Sequence, residues 1–447
     1  MWIAAVAATV AGCGSDAGTA TGGTGGTSST ATSSSGTGGG AATSGSGTGG
    51  EACVPVDDHN TCTSDVCDKG VPVSKPAAAG TPCSAGGTEC DGLGTCIKPA
   101  CTGELGDPGA ASSSVGQAPQ SVAAADFDGD GKPDLAVANN GSDSVSVLFN
   151  LGDGSFAPAV DYPSASKPRS VATVDANGDG KADLVVANTG GGTVSVLLNK
   201  GDGTFAPAVD YPAGTTPYSV TAADVDGDGK ADLAVADLGG AANVLLGLGN
   251  GTFAPTVAYP AGPLPFSITA ADLDGDGKPD LAVANFSSSA ATVLLNKGDG
   301  TFGAPVSFGV GATPYSVTAA DLDGDGKADL AVANNGSKNV SVLLNKGSGT
   351  FAAAVNYAAE TYPFAVTTAD VDSDGKVDLV VANFGSDSVS VLLNMGGGVF
   401  GEPANTATEA GPFSVAAVDL NADGLPDVAV ANSTNNTVSV LLNTCVP

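Results

Sequence analysis

The sequence is short of the residues that most often do chemistry or grip polyanions. It carries one histidine, His59, and 15 Lys and Arg against 47 Asp and Glu, for a net charge of −32. Neutralising nucleic-acid phosphates or docking on anionic lipid needs a basic face, so both partner classes are excluded. Aromatic residues make up only 5%, which points to many thin layers of Val, Leu and Ala rather than one bulky core. No run of about 20 apolar residues occurs, so no internal membrane-spanning helix is expected. What the chain has in abundance is glycine, 66 of 447 residues, and aspartate.

The opening residues, M-W-I-A-A-V-A-A-T-V-A-G-C, run from an apolar stretch into V-A-G-C. This resembles the lipobox of bacterial lipoprotein signal peptides, which implies lipidation at Cys13 and anchoring at the envelope surface. No Lys or Arg precedes the apolar run, a departure from an ordinary export signal; a plain secretory peptide is the alternative. Residues 14–50 are almost wholly Gly, Ser, Thr and Ala, too polar and small to offset chain entropy, and read as a tether with a reach of about 30–36 Å.

Residues 51–101 hold Cys53, Cys62, Cys67, Cys83, Cys90, Cys96 and Cys101 among Gly, Pro and Asp. In an exported chain that density predicts a disulfide module. A zinc site using His59 is the rival, disfavoured because no C-x-x-C pair is present. The stretch D-D-H-N-T-C-T-S-D-V-C-D-K-G-V-P-V resembles short Cys-rich modules of surface proteins.

The rest, 102–447, is repetitive. D-x-D-G-D-G-K-x-D-L, with small variations, begins at Asp126, Asp175, Asp224, Asp272, Asp321, Asp370 and Asp419, at spacings of 48 or 49 residues. Around each acidic loop lie S-V-x-x-A-D, L-A-V-A-N, V-S-V-L-L-N and A-P-A-V-x-Y-P, four short apolar segments between Gly, Asp and Asn turns. Four antiparallel strands per repeat of this length read as a propeller blade. The expectation is an all-β, seven-bladed β-propeller of four-stranded antiparallel blades.

From about residue 103 to 443 the chain resembles the FG-GAP/VCBS repeats that build the integrin-alpha propeller. The last repeat stops after its third strand, at Leu442-Asn443. The missing strand is therefore expected from roughly Gly103 to Val115, the usual propeller seal. Cys101 and Cys445 then fall where other repeats carry a hairpin turn, which predicts a disulfide between them. The remaining six cysteines have 15 possible pairings, and these stay open.

The acidic loops offer oxygen alone. Position 1 is the aspartate already given for each repeat. Position 3 is Asp128, Asn177, Asp226, Asp274, Asp323, Asp372 and Asn421, and position 5 is Asp130, Asp179, Asp228, Asp276, Asp325, Asp374 and Asp423. Position 7, through its carbonyl, is Lys132, Lys181, Lys230, Lys278, Lys327, Lys376 and Leu425. Position 9 is Asp134, Asp183, Asp232, Asp280, Asp329, Asp378 and Asp427. Several carboxylates on a flexible loop suit Ca2+ better than Mg2+, and the lack of thiolate and imidazole disfavours zinc and copper. An EF-hand would need Glu at position 12, where every repeat has Val, from Val137 to Val430. The loops hold 26 of the 47 acids, and seven bound Ca2+ would move the net charge from −32 to −18. Loops 2 and 7, with Asn at position 3, are expected to be the weakest.

No Ser–His–Asp or Cys–His arrangement can be built on the blades, and the non-loop carboxylates Asp161, Asp210 and Glu360 form no motif. A non-catalytic protein is expected, with a two-carboxylate glycosidase as the enzymatic alternative. At the start of each inner strand runs the series Gln120, Arg169, Tyr218, Phe266, Tyr315, Phe364 and Phe413. The integrin-like arrangement implies a rim opposite the loops, able to stack a glycan or anchor a protein; packing between blades is the alternative. The turn residues Phe156, Phe205, Phe253, Phe302, Phe351 and Phe400 are expected in the core. A structural envelope scaffold is the other functional reading.

Overall fold

The computed structural model describes residues 63–68, 71–76, 89–90, 96–97, 105–106 and 112–443. Cys13, the 14–50 tether, Cys101 and Cys445 lie outside them. The chain divides into two units, one within Val10–Pro99 and one carrying Ala100–Val446. In the first, Thr63–Asp68 pairs with Val71–Pro76 and Glu89–Cys90 pairs with Cys96–Ile97, both antiparallel.

The second unit is the seven-bladed propeller. Blade 1 is built from Pro119–Ala125, Asp134–Asn139, Ser144–Leu148 and Val160–Pro163, hydrogen-bonded in that order. Blades 2 to 6 repeat the arrangement from Pro168, Pro217, Pro265, Pro314 and Pro363. The strand that opens each blade is innermost, and these inner strands touch one another around a closed ring. Each begins at a proline, where the missing N–H costs nothing, and the ladder shifts register one residue on. Among the described residues there is no helix.

The second strand shows why L-A-V-A recurs. Both its faces are buried, because each blade is sandwiched between two others. Leu135 and Val137 pack against Ala429 and Ala431 of blade 7, while Ala136 and Ala138 receive Leu184 and Val186 of blade 2. Large side chains thus point toward the preceding blade and meet the small ones on its facing side. The same interlock joins Ala282 and Ala284 to Leu330 and Val332. Truncating one such leucine to alanine costs about 2–5 kcal/mol.

Blade 7 comprises Pro412–Val418, Asp427–Asn432 and Thr437–Leu441, and its outer strand comes from the N-terminal side as Ser112–Ser114. The register is Thr437↔Ser114, Val438↔Ser113 and Ser439↔Ser112. The pairing extends through Leu105, which bridges Asn443, and through Gly106, whose N–H reaches the Leu442 carbonyl at 2.7 Å. The outer strand falls within the segment expected to supply it.

Candidate functional site

Each acidic loop links the end of an inner strand to the start of the second strand. In loop 1, Asp126 accepts the N–H groups of Gly129 at 2.7 Å and Gly131 at 2.9 Å, one on each carboxylate oxygen. Asp128 accepts Asp130 N–H at 3.1 Å, and Asp130 accepts Lys132 N–H at 2.9 Å. The chain is coiled around its own carboxylates. That coil needs left-handed backbone at Gly129 and Gly131, with φ of 81° and 86°.

Position 9 does a second job. Asp134, 1% exposed, accepts Phe127 N–H on Oδ2 at 2.9 Å and Asn150 N–H on Oδ1 at 2.8 Å. Asp183, Asp232, Asp280, Asp329, Asp378 and Asp427 repeat this pairing. Burial pushes these carboxyls up to about 6, against the downward pull of the two N–H groups. At position 7 the lysine side chain folds back as an ion pair to position 5, from Lys132–Asp130 through Lys376–Asp374. These pairs hold the position-5 carboxyls below their ordinary value. Loop 7 has no such pair, because its position 7 is an uncharged leucine, Leu425, which is buried.

The arrangement fits a hard cation. Carboxylate oxygens lie within 4.8 Å of one another in Asp126/Asp128/Asp134, Asp224/Asp226/Asp232, Asp272/Asp274/Asp276, Asp321/Asp323/Asp325 and Asp370/Asp372/Asp374. In loops 2 and 7 an amide oxygen takes the position-3 role, Asn177 accepting Asp179 N–H and Asn421 accepting Asp423 N–H, both at 2.9 Å. Asp419 Oδ1 in loop 7 is buried with no hydrogen-bond partner, an oxygen that a cation would satisfy.

At the other end of the inner strands, the axial series comes together but is not displayed. Arg169 is 3% exposed, Tyr218 6%, Phe266 4%, Tyr315 4%, Phe364 6% and Phe413 1%. Tyr218 stacks on Phe266 with centroids 4.9 Å apart, and Tyr315 stacks on Phe364 at 4.4 Å. The Arg169 guanidinium donates to Gln120 Oε1 at 2.6 Å and to the Tyr218 hydroxyl, and lies 4.4 Å from the Tyr218 centroid and 5.4 Å from that of Phe413. Burial lowers the Arg169 value and raises that of Tyr218. An open stacking rim is therefore corrected to a plug. Side chains converging on one axis bury against each other, and here also against Phe286 and Phe384.

The residues that remain accessible there were not singled out from sequence. Leu264 and Tyr362 are 37% and 49% exposed, and Leu238, Phe286 and Phe384 are half-buried over the plug. Leu264 and Tyr362 hold left-handed backbone, φ 54° and 56°, a conformation costly for bulky side chains. The signal was available: the residue after each second strand is Leu238, Phe286 or Phe384 in three blades and polar elsewhere. Phe205, Phe253, Phe302, Phe351 and Phe400 are core, each edge-on to an aromatic ring of the preceding blade. Phe156 stays half-buried, since it faces the all-serine outer strand of blade 7. Of the non-loop carboxylates, Asp161 and Asp210 each accept a serine hydroxyl at 2.5 Å, and Glu360 accepts Asn405 at 3.1 Å.

The sequence matches the family model described as FG-GAP-like repeat six times, over 126–186, 175–235, 224–283, 272–332, 321–381 and 370–430. No curated protein matches the chain. Among solved structures it is similar to BBS1N in complex with ARL6DN, at 13% identity and TM-score 0.54, covering 75% of this chain and 94% of that one. It is also similar to virginiamycin B lyase from Staphylococcus aureus, at 14% identity and TM-score 0.51, covering 73% and 94%. A third is the periplasmic gluconolactonase PpgL of Pseudomonas aeruginosa, at 19% and 0.50, covering 66% and 86%. At these identities the likeness is one of fold, shared by enzymes and non-enzymes alike.

Proposed function

The chain belongs to the FG-GAP-like repeat family, and from that premise we propose that it is a non-catalytic, Ca2+-binding propeller that presents a binding face to an extracellular glycan or protein. The observation that carries this reading is the sevenfold acidic loop: oxygen donors only, wrapped by backbone N–H groups, with carboxylate oxygens already clustered in five loops. Positions 1, 3, 5 and 9 would hold the ion with the position-7 carbonyl, and the ion would supply charge neutralisation that ties each loop closed. The lysine ion pairs at position 5 fill part of that role in six loops.

The face opposite the loops is the binding surface in this reading. Leu264, Tyr362, Phe286 and Phe384 present apolar area beside polar blades 1, 2 and 7, where Asn140, Thr189 and Ser433 hold the place taken by Phe286 and Phe384. The absence of histidine and cysteine from residues 112–443 supports a non-catalytic role. Similarity of the N-terminus to a lipobox supports attachment through Cys13, with 14–50 as the spacer from the envelope.

The test is binding of residues 51–447 to a broad glycan array, with calcium and with chelator, alongside calcium titration calorimetry. Saturable, calcium-dependent hits that are lost in Tyr362→Ala and Leu264→Ala, with folding retained, support the reading. A folded, calcium-loaded protein that gives no hits removes the glycan alternative and directs the search to protein partners. No calorimetric calcium uptake overturns the metal assignment.

A further inference from the structure

Neighbouring acidic loops are joined through single asparagine residues. In blade 2, Asn199 N–H donates to Asp183 Oδ1, position 9 of its own loop, at 2.7 Å. The side-chain amide of the same residue donates to the carbonyl of Phe127, position 2 of loop 1, at 2.9 Å. Phe127 N–H in turn donates to Asp134, position 9 of loop 1, whose other oxygen holds Asn150 N–H. Asn150 then reaches back to Leu420 in loop 7 at 2.9 Å. The relay continues through Asn443 to Val371 at 2.7 Å, Asn394 to Leu322 at 2.8 Å, Asn345 to Leu273 at 2.9 Å and Asn296 to Val225 at 2.8 Å.

It is interrupted once. Blade 3 has Gly247 in place of the asparagine. Its N–H still serves Asp232 at 2.6 Å, but it has no side chain to reach loop 2. The loop-2 carbonyl, Ala176, is left with the N–H of Gly251 at 3.0 Å, a bond that recurs beside the asparagine in loops 3 and 4, from Gly300 to Val225 and from Gly349 to Leu273, both at 3.2 Å.

We propose that these asparagines are positioning residues which couple the cation occupancy of each loop to the blade that follows, and that Gly247 leaves loop 2 outside this coupling. The inference rests on the Ca2+ reading above. Position 2 lies between the ligands at positions 1 and 3: the bond to its carbonyl fixes the plane of the peptide that leads into position 3, while its N–H, held by position 9, fixes that of the peptide that follows position 1. A cation that draws those ligands inward fixes the same planes and steadies the asparagine's acceptor. Whatever the cation adds to that bond, the bond returns to cation affinity, because coupling is reciprocal. In loop 2 the acceptor is held by backbone alone, so no side chain of blade 3 tunes it.

The experiment reads single loops in the full chain. Lys132→Trp and Lys230→Trp place a sensitiser at position 7 of loops 1 and 3, and Tb3+ is the probe. The unsubstituted protein, whose one tryptophan is Trp2, supplies the blank. Asn199→Ala is expected to weaken Tb3+ binding at loop 1 by roughly two- to tenfold, the worth of one buried hydrogen bond. Loop 3 is expected to be unaffected, since Asn296 and not Asn199 holds its position-2 carbonyl; loop 2 is no control, because Asn199→Ala also removes the bond from that amide to the Ala182 carbonyl, position 8 of loop 2, at 3.1 Å. Equal loop-1 affinities with Asn and Ala at 199 overturn the coupling, even where the melting temperature falls. If Asn199→Ala does not fold, Asn296→Ala read from Lys230→Trp asks the same question at loop 3. No sensitised luminescence from any reporter overturns the cation reading, and the coupling with it.

Discussion

The hydroxyl of Ser414, in the last blade, accepts the backbone N–H of Val122, in the first, at 3.0 Å across 292 residues of sequence. It is one of six equivalent bonds between successive inner strands; the others are taken by Ser121, Ser170, Ser219, Ser267 and Ser316. Ala365 stands where the seventh would be, between blades 6 and 7. Ser414→Ala is expected to lower stability by about 0.5–1.5 kcal/mol, and Ala365→Ser to raise it by a similar amount. Urea denaturation midpoints check both. A destabilising Ala365→Ser would mean that this seam is packed too tightly to admit the oxygen.

Chelation should loosen the loop face. Without a cation the clustered carboxylates of Asp224, Asp226 and Asp232 repel one another, relieved in part by the position-7 lysine, Lys230, paired to position 5. The melting temperature is expected to fall on adding chelator and to recover with Ca2+. The gap should narrow at high salt, where repulsion between exposed charges is screened. A melting temperature indifferent to Ca2+ at low salt would contradict this.

The blade count, the strand order and the seal were legible because each repeats or completes a period: seven acidic motifs, four apolar segments, one missing strand. The aromatic series was legible as a series, but its exposure was not. Whether Phe364 meets solvent depends on how far Tyr315, Phe384 and Phe413 reach across the axis, with centroids 4.4, 4.6 and 4.9 Å away. Distances between separate repeats carry no mark within any one of them. The asparagine relay was hidden for the same reason. Asn199 looks like a turn residue until its amide is found on Phe127, 72 residues away.

That burial separates two substitutions, two residues apart along the chain, that would otherwise both serve to test ligand binding. Phe364→Ala opens a cavity among stacked rings and is expected to cost about 3–5 kcal/mol. Tyr362→Ala removes a side chain that is 49% exposed and is expected to change stability by no more than about 0.5 kcal/mol. Thermal melts of the two variants check the contrast. Equal, large losses would show that Tyr362 belongs to the plug rather than to the surface above it.

The ring's closing strand is short, only Ser112–Ser114, and Glu409 clamps it. Its carboxylate accepts the Thr437 hydroxyl and the Asn435 amide, the latter at 3.1 Å, and also bonds Ser112. Burial pushes the Glu409 carboxyl up, but the bonds from Thr437, Ser112 and Asn435 together outweigh it and leave the carboxyl below its ordinary value of 4.5. A depressed folded-state value means that the carboxylate contributes stability above the unfolded value, and that this contribution disappears as pH falls through the folded one. Glu409→Gln is therefore expected to lower the urea midpoint at pH 7, with a deficit that shrinks as the pH falls below the ordinary carboxyl value of 4.5 and through the depressed folded one. A deficit unchanged at low pH would assign the effect to the shape of the side chain instead of its charge. Because the clamp joins the third strand to the chain segment that seals the ring, the deficit should also appear as faster proteolysis at Ser112–Ser114.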